Sequence, residues 1–431
     1  MTAAVARPGA DRLWAYSLYA AILSGAGLPI YIYAPKFFAD TYGVSLTALG
    51  AVLFGLRLFD VVQDPALGWL SERLGRARPA AVALGAALLA VSMVALFAVP
   101  PPVAPLWWFG IAITGLFSAF SFLTINFYAR GVKKAATLAG GDGTGHVRLA
   151  GWRETGALLG VCVAAVAPTL LTGAVPAPFA TFAWGFAAVT LVAAVAMAPE
   201  WGAVAREAPT PVGTILSDPT ARRLLILALV NATPLAVTST LFLFYVESRL
   251  QAPGWEGPLL VLFFLAAAAS APGWSRLARA FGAKPVLLAA MVLAIAAFAF
   301  VLTLGPGDTT AFALVCIASG ATIGADLTLL PALFARRMAQ VAPNAGQGFG
   351  LWSFTTKFTL AFAAAALLPL LEGAGFTAGA GADNPEEALR LLTLLYALVP
   401  CLLKVVAIAL LAATPIPDTR RADPAPAGTR A

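Results

Sequence analysis

The stretch Asp60-Val-Val-Gln-Asp-Pro-Ala-Leu-Gly-Trp69 places two carboxylates inside an otherwise apolar run of about residues 45 to 70. That run is long enough for one helix across a bilayer core of roughly 30 Å. Arg57, Asp60 and Asp64 stand at i, i+3 and i+7, so their side chains share one face of the helix. A charge at the bilayer centre costs about 3 kcal/mol. We therefore expect this face to line a cavity or to meet partners rather than lipid.

The rest of the chain is as apolar as this segment. Of its 431 residues, 60% are hydrophobic and 11% are charged, and the mean hydropathy is +0.87. Such a chain has too little polar surface to cover a soluble globule. We expect an all-α, multi-pass protein in a lipid bilayer. The net charge of +7 is then explained by cytoplasmic loops, and no nucleic-acid partner is predicted.

Twelve apolar segments are long enough to span a membrane, and the longest predicted inward loop divides them six plus six. The segments cover about residues 12 to 38, 45 to 70, 80 to 100, 104 to 128, 149 to 172, 177 to 198, 222 to 247, 257 to 275, 285 to 304, 310 to 336, 346 to 371 and 388 to 413. The predicted organisation is an N-terminal half (1–200), a cytoplasmic middle loop (201–221), a C-terminal half (222–413) and a disordered cytoplasmic tail (414–431).

A weak internal repeat supports two related halves. Gly68-Trp-Leu-Ser-Glu-Arg-Leu-Gly-Arg76 follows the second segment, and Gly273-Trp-Ser-Arg-Leu-Ala-Arg-Ala-Phe-Gly282 follows the eighth. Most of the 27 Lys and Arg residues fall in alternate loops. Because cationic loops stay in the cytoplasm, this pattern predicts a bacterial-type inner-membrane protein with both termini cytoplasmic.

A single lysine in the eleventh segment is the expected partner of the paired aspartates. Lys357 comes from the other half of the chain, and with Arg57 it would make the cluster formally neutral. Two carboxylates one turn apart repel each other unless a cation or a proton lies between them. The cluster therefore predicts a site for a coupling ion at Asp60 and Asp64. The alternative is that these charges only form interhelical ion pairs that lock the bundle.

The residues from Asp60 to Gly68 resemble the D-x-x-x-D-P-x-x-G signature of the glycoside–pentoside–hexuronide:cation symporters, the melibiose-permease-like branch of the major facilitator superfamily. Trp352-Ser-Phe-Thr-Thr-Lys357 is similar to the segment that carries the family's lysine. The loop after the second segment is similar to a superfamily loop motif. The resemblance implies a major facilitator fold with alternating access, a gate and a cation site for Na⁺ or H⁺. The implied gate is Gly68, Glu72, Arg73 and Arg76, and the implied cation ligands are Asp60, Asp64, Gln63 and Thr124.

The same resemblance points to the solute site. Two acids that hold sugar hydroxyls in the family are replaced here by Ser24 and Asn126, and the stacking aromatic is replaced by Arg130. We expect a small polar solute such as a sugar, a glycoside or a sugar acid, whose carboxylate would bind arginine. Arg130 at the cytoplasmic end of its helix, and Asp326 as a helix-packing residue, are alternatives. The full set of candidates is Ser24, Asn126, Tyr128, Arg130, Arg153, Asp326, Trp352 and Ser353.

Other functions stay open at this point. A proton-driven exporter, a carrier of lysolipids or other amphiphiles, and a sensor that binds a ligand without transport would share this pattern. An enzyme is not expected, because the chain has one histidine and lacks an H-E-x-x-H or a Ser/His arrangement. Three scattered cysteines predict neither a disulfide nor a metal site. We expect no cofactor besides the coupling ion, and a protein that functions as a monomer.

Overall fold

The computed structural model describes residues 11–138, 144–202, 210–377 and 384–416. Helices dominate these residues, and each long one corresponds to an apolar segment. They are α1 (Leu13–Gly25), α2 (Leu28–Tyr42), α3 (Leu46–Arg73), α4 (Arg78–Phe97), α5 (Pro105–Leu138), α6 (Thr144–Leu171), α7 (Pro178–Met197), α8 (Val212–Ser217), α9 (Pro219–Phe244), α10 (Glu256–Phe281), α11 (Ala283–Ala299), α12 (Thr309–Val341), α13 (Gly346–Gly373), α14 (Glu386–Thr393) and α15 (Val399–Ala413).

Among the described residues, nine helical stretches are long and apolar enough to cross a membrane. Two further helices, α3 and α13, are not among these nine but have 28 residues each, and they correspond to the second and eleventh predicted segments. The protein is therefore an all-helical, multi-pass membrane protein. The predicted tail lies almost wholly outside the described residues.

The first predicted segment is two helices rather than one. α1 ends at Gly25 and α2 begins at Leu28, and Gly27 between them has the non-helical angles φ −83° and ψ −112°. A proline at the start of α2 cannot donate the backbone hydrogen bond that would continue α1. The twelfth segment is also irregular, because a π-helical turn at Leu394–Leu398 joins α14 to α15.

Hydrophobic clusters show where the halves are joined. One buried cluster lies wholly within the helices from α1 to α7 and their short extension to Trp201. A second cluster belongs mainly to α9, α11, α12, α13 and α15, but it also includes Ile125, Ala129 and Val132 of α5 and Val147 of α6. These residues lie near the ends of α5 and α6 that carry Lys133, Lys134 and Arg148. We call this side of the bundle the cationic end, and the opposite side the far end.

Polar contacts between the halves also lie toward the cationic end. The Glu72 carboxylate accepts hydrogen bonds from the backbone amides of Gln347, at 2.8 Å, and Thr210, at 2.6 Å. Lys133 Nζ donates to the Asn344 side chain at 3.3 Å. A Cβ added to Gly68 would lie 2.7 Å from the Gly346 carbonyl oxygen. The two halves are thus packed together, backbone against backbone, at the cationic end.

Asp218 fixes the start of the C-terminal half. Its carboxylate caps α9 by accepting from the Ala221 amide at 2.7 Å, and it also forms an ion pair with Arg337 of α12. The hydrogen bonds from Arg337 hold the pKa of the Asp218 carboxyl below its ordinary value. An acid with a lowered folded-state pKa stabilises the protein above its unfolded pKa of about 3.9. That contribution is lost as the pH falls through the folded-state pKa.

We therefore expect Asp218→Ala to lower the free energy of unfolding by about 1 to 2 kcal/mol at neutral pH, since it removes a cap and an ion pair. The difference from the parent protein should shrink in acid. Thermal denaturation of both proteins at neutral and acidic pH checks this. An equal difference at the two pH values would contradict the assigned role of the carboxylate.

Candidate functional site

Lys357 of α13 lies between the two buried aspartates of α3. Its Nζ is 3.3 Å from Oδ2 of Asp60, and 3.0 Å from Oδ2 and 3.1 Å from Oδ1 of Asp64. Arg57 Nη1 lies 3.6 Å from the same Oδ2 atom of Asp60. Two positive and two negative charges thus meet within one cluster. The sequence prediction that these four residues meet agrees with the structure.

Two serines that the sequence analysis did not assign to this cluster complete it. Ser353 of α13 donates to Oδ2 of Asp64 at 2.5 Å, and Lys357 donates to the Ser121 hydroxyl of α5 at 2.6 Å. The resemblance makes Ser353 a candidate for solute binding, whereas in the structure its hydroxyl donates to Asp64. The spacing of α5 alone does not single out Ser121, because it lies in an apolar helix with several other hydroxyl residues.

The two aspartates differ in how well they are satisfied. Asp64 is fully buried and accepts hydrogen bonds from Lys357 and Ser353. Asp60 is equally buried, yet neither of its oxygens accepts a hydrogen bond from a described residue, and it is held by charge alone. Desolvation of an incompletely paired carboxylate is costly. Asp60 is therefore the group in this cluster with unused capacity for a proton or a cation.

The other predicted cation ligands also keep unused polar atoms. The Thr124 hydroxyl is buried without a hydrogen-bond partner among the described residues, as is Nε2 of Gln63. The Gln63 oxygen accepts from Ser118 at 2.9 Å. An amide can be turned over with almost no change of shape. In the turned form Nε2 would donate to Ser118 and the oxygen would be left free as a ligand.

The implied gate divides into two pairs. Gly68 and Glu72 lie in the contact between the halves described above. Arg73 and Arg76 are exposed, and the Arg73 guanidinium stacks 3.9 Å from the centre of the Trp69 ring. The closed contact at the cationic end therefore depends on close backbone approach and on Glu72, while the two arginines lie outside it.

Two related halves with a polar site at their interface are features of major facilitator transporters. A family model described as MFS/sugar transport protein matches residues 13–418. The chain belongs to this family. It is a transporter and not an enzyme, and the resemblance drawn from residues 60 to 68 is confirmed at the level of the superfamily. No curated protein matches the sequence.

Solved structures of other transporters share the fold of this MFS protein. A bacterial homologue of the iron transporter ferroportin, in an outward-facing state, is 15% identical with a TM-score of 0.67, covering 93% of this chain and 98% of that one. The E. coli fucose:proton symporter is 15% identical with a TM-score of 0.68, at 93% and 97% coverage. The human organic anion transporter MFSD10 is 15% identical with a TM-score of 0.61, at 92% and 100% coverage.

Arg153 of this MFS transporter is already paired within its own half. Its Nε donates to Glu154 at 2.8 Å, and its guanidinium stacks 3.8 Å from the centre of the Tyr128 ring. Tyr128 also donates to Glu154, at 3.1 Å, and packs against Phe349 of α13. These side chains lie in the packed contact between the halves. Arg153 therefore has no open path to a solute in this state, although its Nη2 has no hydrogen-bond partner among the described residues.

Three further solute candidates lie inside the N-terminal half. Arg130 is beside Tyr16, whose hydroxyl donates to Glu200, and it lies eight residues before Leu138, the last residue of α5. Asn126 accepts from Ser71 at 2.8 Å and donates to the Phe122 carbonyl oxygen at 2.8 Å, so it joins α3 to α5. Ser24 lies in the last turn of α1, at the break before α2.

The other two candidates belong to the C-terminal half. Trp352 packs against Phe334 at a ring distance of 4.9 Å. Asp326 is buried and forms an ion pair with Lys404, which also donates to Asn231 at 2.8 Å. Asp326 and Lys404 border a cavity of about 70 Å³ that Phe263 also lines. Asp326 thus joins three helices of one half and also lines a cavity, and it belongs to a separate cluster from Asp60 and Asp64.

Adding one methyl group to Gly68 is expected to disfavour the state closed at the cationic end. The new Cβ would meet the Gly346 carbonyl oxygen at 2.7 Å, and overpacking of this kind costs about 1 to 3 kcal/mol. We expect Gly68→Ala to shift the balance of states by about tenfold. Spin labels at Val103 and Leu302, which lie at the far end of the two halves, would report a shorter distance.

The matched control is Gly55→Ala on the same helix, where an added Cβ meets nothing within 4 Å. Both changes raise helix propensity alike, so a shared shift would reflect the helix and not the contact. If the two variants give the same label distances as the parent protein, the close approach at Gly68 does not set the balance.

Proposed function

We propose that this protein is a cation-coupled symporter of a small polar solute, working by alternating access between its two halves. The observation that carries the proposal is the position of Lys357. Its ammonium group lies between Asp60 and Asp64, within 3.3 Å of both carboxylates. That is where a coupling cation would bind, so lysine and cation compete for one place.

This competition supplies a coupling mechanism. Lys357 belongs to one half and the aspartates to the other, so their ion pairs hold α13 against α3. A cation or a proton at Asp60 would weaken the hold on Lys357, because it removes negative charge from the cluster. Occupancy of the ion site then changes the energy of the contact between halves. Ion and solute binding become linked through that contact.

The unpaired polar atoms of the predicted cation ligands suit either Na⁺ or H⁺. Sodium would need several oxygens, and the Asp60 carboxylate, the Thr124 hydroxyl and the Gln63 carbonyl could supply them. A proton needs only Asp60. The similarity of fold to a fucose:proton symporter supports proton coupling as one form of the proposal. Lithium or sodium dependence would support the other form.

A neutral polar solute, such as a sugar or glycoside, is favoured over a sugar acid. Two of the arginines that could bind a carboxylate are paired with acids, because Arg57 is beside Asp60 and Arg153 donates to Glu154. Arg130 lies beside Tyr16, and the Glu200 carboxylate of that cluster is paired with Lys134. At Arg57 or Arg153 an anionic solute would have to displace an acid, at the cost of a buried unpaired carboxylate.

The cationic end faces the cytoplasm in this proposal, because cationic loops are retained there. The described state is then closed toward the cytoplasm. The solute would enter from the far end, and both termini would be cytoplasmic in an inner membrane. We propose a monomer as the functional unit, since each monomer contains both halves of the site.

A thermal-shift screen of the purified protein tests the proposal. Sugars, glycosides and sugar acids would each be added with sodium, with lithium and at low pH. We expect one class to raise the melting temperature only when its cation is present, and Asp64→Asn to abolish that rise. Asp40→Asn, at an exposed carboxylate paired with Lys36, is the control and should behave like the parent.

Counterflow of the labelled solute in proteoliposomes would then separate a transporter from a ligand sensor. Stabilisation that needs no cation and survives in Asp64→Asn would overturn symport. Solute efflux driven by an inward proton gradient, with no accumulation, would favour an exporter instead.

A further inference from the structure

A groove at the cationic end lies between α6 of one half and α10 of the other. Its volume is about 290 Å³. Its floor is a close contact, because a Cβ on Gly151 would lie 2.7 Å from Ser275, whose hydroxyl donates to the Val147 carbonyl oxygen at 3.0 Å. The groove therefore exists only while the two halves are packed together here. It is lined by Arg148, Gly151, Trp152, Thr155, Pro272, Ser275, Arg276 and Arg279.

Positive charge in this groove exceeds negative charge. Arg148 forms an ion pair with Asp11 at 2.8 Å. Arg276 and Arg279 are exposed, and within the described part of the chain neither forms an ion pair with a carboxylate. They stand at i and i+3 on one face of α10, where like charges repel. An anion between them would remove that repulsion, and arginine binds phosphate oxygens in a bidentate manner.

Apolar surface continues from the groove toward the far end on both helices. On α6, the Trp152 side chain is 48% exposed, and exposed Leu159 and Val163 follow it at i+7 and i+11. On α10, exposed Leu265 lies eleven residues before Arg276 on the same face. Tryptophan is enriched at the headgroup level of membranes. A ligand with an anionic head and two apolar chains would match this order of surfaces.

We propose that the groove binds an anionic phospholipid, with its phosphodiester at Arg276 and Arg279 and its acyl chains along α6 and α10. Basic pockets between membrane helices on the cytoplasmic side suit such headgroups. A soluble phosphate would use the arginines but would leave the apolar stripes unused. The continuity of charge and apolar surface therefore favours a lipid as the occupant.

Lipid binding has a conformational consequence that rests on the proposed alternating access. The lipid contacts both halves where they are closed together, and the groove is lost when that end opens. A ligand that binds one state better shifts the balance toward it. Anionic phospholipid would thus stabilise the state closed at the cationic end and open the far end.

Native mass spectrometry of the full chain in detergent tests the binding itself. Phosphatidylglycerol and phosphatidylcholine with the same acyl chains would be titrated separately, with inorganic phosphate as the soluble competitor. We expect specific binding of phosphatidylglycerol that is weakened about thirtyfold in Arg276→Ala/Arg279→Ala. The control Arg222→Ala/Arg223→Ala removes two neighbouring arginines at the same end of the bundle and should bind like the parent.

Three outcomes would contradict the proposed lipid site. These are equal binding of both lipids, equal losses of phosphatidylglycerol binding in the two double variants, and displacement of the lipid by inorganic phosphate at similar concentrations. The conformational consequence is tested separately with spin labels at Val103 and Leu302. Phosphatidylglycerol should lengthen their distance in the parent and leave it unchanged in Arg276→Ala/Arg279→Ala. Lipid binding without a change in distance would retain the site and reject its link to alternating access.

Discussion

Lys357→Ala is expected to abolish concentrative solute uptake while leaving cation binding intact or stronger. The substitution leaves Asp60 and Asp64 buried with only Arg57 to compensate them. Loss of one partner from a buried ion pair costs about 3 to 5 kcal/mol. We expect uptake to fall by about a hundredfold or more. The vacated position between the carboxylates is then free for a cation, which no longer competes with lysine.

Uptake of labelled solute in proteoliposomes and calorimetric titration with the coupling cation check the two parts of this prediction. Lys357→Arg keeps the charge and should retain part of the uptake. Lys36→Ala removes an exposed lysine that pairs with Asp40 and should have no effect. Uptake at the parent level in Lys357→Ala would reject the competition between lysine and cation. Loss of cation binding together with uptake would show that the lysine only holds the site in shape.

Gly160→Ala is expected to destabilise the N-terminal half more than any surface substitution. The added Cβ would lie 2.1 Å from the Ala21 carbonyl oxygen, and a Cβ on Gly156 would lie 2.1 Å from that of Ser17. Backbone atoms cannot rotate away as a side chain can, so α1 and α6 must separate. Overpacking of this kind costs about 3 kcal/mol or more. The melting temperature should fall by several degrees.

Gly185→Ala is the matched control, because it lies in α7 and an added Cβ meets nothing within 4 Å. It should leave the melting temperature unchanged or raise it slightly through helix propensity. Thermal denaturation of the purified variants would be monitored by tryptophan fluorescence. A Gly160→Ala protein that melts with the parent would show that the two helices can move apart at no cost.

The contact of α1 with α6 has a signal in the sequence. Gly156 and Gly160 form the small-xxx-small pattern that lets membrane helices approach closely. Ser17 and Ala21 form the matching pair on α1, and Ser17 donates to the Trp152 carbonyl oxygen at 2.5 Å. The pattern predicts a close helix contact but does not name the partner. Many small residues in this chain occur at the same spacing.

The charged cluster shows how far spacing alone can be used. The i, i+3 and i+7 positions of Arg57, Asp60 and Asp64 require one shared face on any helix. An isolated lysine in an apolar helix requires a negative partner. Few carboxylates were available inside the membrane, so the pairing with Lys357 could be predicted. The role of Ser121 could not, because a hydroxyl in a membrane helix can also bond to its own backbone.

The solute candidates show where the same reasoning fails. In the structure Arg153 is buried and Arg130 is half-buried, and both lie among residues of the N-terminal half. Glu154, adjacent in sequence, pairs with Arg153, whereas Arg130 lies beside Tyr16 and the nearby Glu200 pairs with Lys134. A resemblance to family positions predicts on which helix a residue lies and on which turn of that helix. It does not give the neighbours that neutralise its charge.

The sequence by itself determined that this is a multi-pass helical membrane protein with a charged cluster on one helix and a lysine to match it. Composition, segment length and helical periodicity act locally, so they can be read from the chain directly. Only the tertiary structure decided that Lys357 lies between Asp60 and Asp64, that the halves close at the cationic end, and that α6 and α10 form a groove. These features depend on which helices meet and at what level along their axes. Packing between residues far apart in the sequence determines both.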